Sequence, residues 1–88
     1  MDGRSLVAWN LRRLRVARGL SQERLALDAA VDRAYLSGLE RAQENPTVDV
    51  LDRLATTLGA ALGELFVEPA EGAMAPEPLR AGRRPKNA

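Results

Sequence analysis

The 88-residue chain contains no cysteine and no histidine. The first absence excludes a disulfide, a thiolate metal site and a cysteine nucleophile. The second removes the usual general base and the commonest metal ligand. With the ordinary tools of catalysis missing, the chain reads as a non-enzyme with no cofactor. Aromatic residues are scarce too, limited to Trp9, Tyr35 and Phe66. Since 45% of the residues are apolar, the core must be built from Leu, Val and Ala, a composition typical of helical cores. No apolar run approaches the roughly 20 residues that span a bilayer. The opening stretch, MDGRSLVAWNLRRLR, places charge on both sides of a very short apolar segment, unlike a secretory signal. A cytoplasmic protein with no membrane partner is expected, with room for one domain near the lower size limit of a self-sufficient core.

The net charge of +1 conceals an asymmetry. Residues 1–41 carry eight Arg against five acids, and residues 42–77 carry Arg53 against seven acids. Residues 78–88 add Arg80, Arg83, Arg84 and Lys86 with no acid. A basic half beside an acidic half suits a polyanion-binding face backed by a neutral or self-associating one. Taken alone, the pattern is equally that of ordinary solvated charge.

Periodicity predicts an all-α fold of five short helices. Val7, Leu11 and Leu14 line one face of a first helix over Ser5–Arg18, which Gly19 stops. Ser21 caps a second helix whose buried side is Leu25, Ala26 and Ala29. Asp32 caps a third, Arg33–Arg41, with Leu36 and Leu39 inward. AQENP is a loop, because Pro46 disfavours helix in the residue before it. Thr47 caps a fourth helix carrying Val48, Leu51, Leu54, Ala55 and Leu58, and Gly59 ends it. A short fifth helix around Leu62–Phe66 closes the core. Pro69, Pro76, Pro78 and Pro85, among scattered Gly and Ala, build no packed element. The chain thus divides into a folded domain, 1–68, and a disordered basic tail, 69–88.

The second and third helices fit a helix-turn-helix position by position. Leu25, Ala29, Val31, Leu36 and Leu39 face inward, Ala26 is small where the helices cross, and Ala30 sits in a turn of about three to four residues. With LRRLRVARGLSQERLA, YLSGLER and NPTVDVLDRLATTLG in that order, the chain resembles the lambda-repressor-like, Xre/Cro family of helix-turn-helix regulators over about residues 6–66. Within that family, DRAYLSGLER is most similar to the controller proteins of restriction–modification systems and to short prophage-type repressors.

The resemblance implies a homodimer that regulates transcription at a near-palindromic site on double-stranded DNA, with two recognition helices roughly 34 Å apart. It also implies roles for individual residues. Gln22, at the start of the second helix, matches a glutamine that meets a DNA phosphate, where free N–H groups favour an anion. Its plain alternative is a surface side chain. Arg33, Ala34 and Ser37 match base-contacting positions: Arg33 fits guanine O6 and N7, Ala34 a thymine methyl, and Ser37 a base or a phosphate. The alternative for Arg33 is a phosphate contact or a solvated charge. Tyr35, Arg41, Gln43 and Asn45 match phosphate-contacting positions, which set register without carrying sequence information. Arg15 and Glu40 match a structural salt bridge between the first and third helices. Leu62, Leu65 and Phe66 either form the dimer surface or belong wholly to the core.

The chain also departs from the family pattern. Ala30 stands where Gly or Asn is favoured, Gly38 offers no side chain where some relatives read a base, and Ala61 replaces a capping Ser. Fewer base-reading side chains shift weight towards DNA shape. Two features lie outside the motif. Trp9 and Val16 form either a partner or tail-docking patch or a cover over the domain's own edge. The tail RAGRRPKNA either tracks phosphates or is a solvated end. Besides a stand-alone regulator, two alternatives remain open: an antitoxin that autoregulates its operon and folds its tail on a toxin, and a protein-interaction module that has kept the fold without DNA binding.

Overall fold

The structure is a computed structural model that describes residues 1–74. Four α-helices follow one another: α1 (Gly3–Ala17), α2 (Gln22–Ala29), α3 (Arg33–Glu40) and α4 (Val48–Leu58). A 3₁₀ turn, Leu62–Phe66, follows them in place of the fifth α-helix expected from the sequence.

Each α-helix opens on a side chain that accepts from an otherwise unpaired N–H three residues on. Asp2 accepts from Ser5, Ser21 from Arg24, Asp32 from Tyr35 and Thr47 from Val50. Such caps are worth about 1 kcal/mol each. The bond from Ser5 holds the Asp2 carboxyl below its ordinary pKa. The first helix starts two residues earlier than its apolar spacing predicts because Asp2, not Arg4, is the cap.

All four helices end alike, through a pair of bonds that turn the chain back on the last carbonyls. In α1 the N–H of Leu20 bonds the carbonyl of Arg15 and that of Gly19 bonds Val16. Val31 to Ala26 with Ala30 to Leu27, Gln43 to Gly38 with Ala42 to Leu39, and Ala60 to Ala55 with Gly59 to Thr56 repeat the pattern. The turning residue needs a positive φ each time. Gly19 and Gly59 supply it at 68°, but alanines adopt it on either side of α3, Ala30 at 58° and Ala42 at 60°. The turn before α3 thus has the left-handed backbone expected for it, and the turn after α3 has one too.

The 3₁₀ segment lacks such a start, since Ala61 has no side-chain acceptor. It is held instead by burial of Leu65 against α1 and α4. Leu11, Leu25, Leu36, Leu39, Leu54, Leu58 and Leu65 are the large apolar side chains fully enclosed in the core, so leucine does the work aromatics do elsewhere. Beyond Phe66 the chain is extended and then turns at Glu71 and Gly72. Of the expected tail, residues 75–88 lie outside the described residues. No helix among the described residues is long and apolar enough to cross a membrane.

Candidate nucleic-acid interface

Helices α2 and α3 pack on each other, and Ala26 and Ala29 of α2 are both buried. Small side chains there let the two helices approach closely. The chain turns between them through Ala30, and Asp32 then caps α3. The first turn of α3 therefore projects Arg33 and Ala34 into solvent, with Ser37 half-buried one turn on. Tyr35 is half-buried against the core. Arg41, Gln43 and Asn45 are exposed along the loop that leaves α3.

One polar cluster fixes this helix pair to α1. Arg15 Nε donates to Glu40 Oε2 at 2.6 Å and its Nη2 to Glu40 Oε1 at 2.9 Å, a two-pronged bond. Their side chains are only 5% and 4% exposed. Arg15 Nη1 donates to the carbonyl of Leu20 at 2.7 Å, and Gln22 Nε2 donates to Glu40 Oε1 at 3.1 Å. A single carboxylate at the end of α3 thus ties α1 to the start of α2, while Arg15 also holds the loop between them. The arrangement orients Gln22 and leaves its amide oxygen and one N–H open at the N-terminus of α2, where the helix dipole favours an anion.

Gly38, which has no side chain of its own to offer, is covered by that of another residue. It is buried, because the Glu44 side chain lies over it: a Cβ at position 38 would meet Glu44 Cγ and Oε2 at 2.9 Å. Its carbonyl accepts from Arg41 and Gln43, so the residue also anchors the loop after α3.

Of the three residues considered for a dimer surface, Leu65 is fully buried in the chain's own core and Leu62 is half-buried against it. Phe66 is 44% exposed, and Val67 beside it is 50% exposed. Trp9 is half-buried and lines a cavity of about 320 Å³ with Val67, Pro69 and Met74, while Val16 is not part of its lining. The chain's own residues after Phe66 thus form the other side of the cavity beside the indole.

Sequence reasoning missed Asn10. It is 1% exposed, and its Nδ2 donates to the carbonyls of Leu6, Leu65 and Val67. Its Oδ1 accepts from Arg13. The signal was present, because Asn10 falls on the apolar stripe between Val7 and Leu14, where a polar side chain needs buried partners.

Two capped helices joined by a tight left-handed turn, the second with its first turn exposed, make a helix-turn-helix. The HTH_3 helix-turn-helix family profile matches residues 11–65. The chain belongs to this lambda-repressor-like, Xre-type family. It is 39% identical over 70 residues to a hypothetical transcription factor of Neisseria meningitidis, covering 80% of this chain and 66% of that one, just under two thirds of the relative's length. It is 46% identical over 65 residues to the uncharacterized HTH-type transcriptional regulator y4dJ of Sinorhizobium fredii, covering 74% and 84%. Among solved structures, the restriction–modification controller protein C.AhdI from Aeromonas hydrophila matches with a TM-score of 0.70 at 43% identity, over 72% of this chain and 96% of that one. The controller protein C.Esp1396I, solved as a tetramer with its natural 35 base-pair operator, matches with a TM-score of 0.68 at 30% identity, over 75% and 87%.

Proposed function

We propose that the chain is a transcriptional regulator that binds double-stranded DNA as a homodimer at a near-palindromic operator in the cytoplasm. The observation that carries the reading is the exposed first turn of α3, set at a fixed angle by the Arg15–Glu40–Gln22 cluster. A helix presented in this way lays its N-terminal residues against base edges in the major groove. Arg33, Ala34 and Ser37 then face bases, and Gln22, Tyr35, Arg41, Gln43 and Asn45 meet phosphates. One such helix covers a few base pairs, and two-fold pairing doubles the site. Phe66, with Val67 and the open part of Leu62, provides the apolar surface for that pairing. The folded unit spans residues 1–68, with 69–88 as an appended tail. A controller relative solved as a tetramer with its operator supports DNA binding by this fold, and no observation favours the antitoxin alternative.

Selection of bound sequences from random DNA tests it directly. The wild-type chain should enrich a near-palindrome with half-sites about one helical turn apart. Arg33→Ala should cost about 1–3 kcal/mol and relax preference at one base pair per half-site. Arg41→Ala should weaken binding to all sequences alike. A uniform loss for Arg33→Ala, with every base preference intact, would reduce Arg33 to a phosphate contact. Failure to enrich any sequence would remove the regulator reading itself.

A further inference from the structure

The outward face of α3 is nearly bare on one side. Ala34 and Gly38 are one turn apart on the same face of the helix, and neither reaches beyond a methyl group. Into that gap comes a side chain from outside the helix. Glu44, in the loop after α3, lies across Gly38 with Cγ and Oε2 at 2.9 Å from where a Cβ would stand. It is half-buried there and makes no hydrogen bond or ion pair with the other described residues. A carboxylate thus occupies the place of the missing side chain at position 38.

We infer that Glu44 is a specificity-determining residue that reads a cytosine in each half-site. The inference rests on the proposed seating of α3 in the major groove. A carboxylate has only acceptors to offer. In that groove guanine shows two acceptors and thymine an acceptor with a methyl, so both repel it. Adenine offers its N6 donor beside the N7 acceptor, which opposes the second carboxylate oxygen. Cytosine offers its N4 donor with no acceptor next to it on the same base. Away from such a donor, a negative charge on this surface is repelled by the phosphates, so wrong sequences are penalised as well as the right one favoured. Glycine at 38 is required for this arrangement, because any Cβ displaces the carboxylate.

Sequence selection with five proteins, wild type, Glu44→Ala, Glu44→Gln, Gly38→Ala and Arg33→Ala, separates the outcomes. Wild type should prefer cytosine at one position per half-site by at least about five-fold, the lower end of a single base contact. Glu44→Ala should lose that preference while binding unrelated DNA as well as wild type or better. Glu44→Gln keeps the size of the side chain, adds a donor and should shift the same position towards adenine. Gly38→Ala keeps the charge, improves helix propensity and should lose the cytosine preference by pushing the carboxylate aside. Thermal melts of each variant confirm folding. If Glu44→Ala tightens binding to all sequences equally and leaves every preference intact, Glu44 is only a local repulsive charge and the inference fails. If Arg33→Ala alters the selected site while both Glu44 variants do not, this inference alone falls. If wild type selects nothing, the seating of α3 falls with it.

Discussion

Removing one partner of the Arg15–Glu40 pair leaves the other charge nearly enclosed, with no route to water. Truncation of such a pair costs about 3–5 kcal/mol, far more than the pair contributes as a whole. A small domain has total stability on the order of 5–15 kcal/mol, so the loss is severe. Arg15→Ala and Glu40→Ala should each lower the urea midpoint sharply, whereas Arg24→Ala, from an exposed i,i+4 pair with Asp28, should cost less than about 1 kcal/mol. Urea curves of the two buried-pair variants that overlay wild type would show that the cluster does not hold α3. The residues in this cluster were legible in the sequence because the family pattern places them. Gln22 was legible as a helix-start glutamine, but its bond to Glu40 was not, since their meeting depends on how α1, α2 and α3 pack. Glu44 over Gly38 escaped for the same reason. Spacing marks which face of a helix a residue occupies, not which loop side chain will fold back over it.

Helix starts are written in short side chains, and Ser21, Asp32 and Thr47 announced three of the four from sequence alone. The ends are less explicit, because two of the four turning residues are alanines. An L-residue in this left-handed conformation is strained by roughly 1–2 kcal/mol. Glycine relieves the strain but takes back about 0.4–1 kcal/mol through the extra freedom of the unfolded chain. Ala30→Gly and Ala42→Gly should each therefore stabilise the protein slightly, raising the melting temperature by a few degrees, since about 1 kcal/mol moves a domain of this size by 4–8 °C. Calorimetry that places both variants at or below wild type would show that the strain is relieved locally. The expected fifth helix was legible as a short apolar segment but not as a 3₁₀ turn. Ala61 provides no cap, so the segment takes its form from the burial of Leu65 rather than from a helical start of its own.

At the scale of the molecule, charge is divided along the chain. The basic first half carries α2 and α3, the acidic stretch carries α4 and the 3₁₀ segment, and four cations follow near the C-terminus. Each phosphate neutralised adds about 0.9 to the magnitude of the slope of log affinity against log salt. Deleting residues 79–88 should flatten that slope by roughly two to four units per chain if most of the cations reach DNA. Base preference should stay unchanged, since the deleted residues carry no base-reading element. An unchanged slope would mean that the tail does not bind DNA.

The bonds from Asn10 to Leu65 and Val67 span 55 and 57 residues of chain. They close the longest loop among the side-chain bonds of the described residues, and they unite an early segment of the chain with a late one. Leu65 covers α1 only once that loop has closed, so α2 and α3 are complete in sequence well before the core beneath them can be sealed. During synthesis the chain passes through a stage in which α2, α3 and α4 exist as polypeptide but lack their lid. A fragment that stops short of Leu65 would leave Asn10 without two of its acceptors and α1 without its cover.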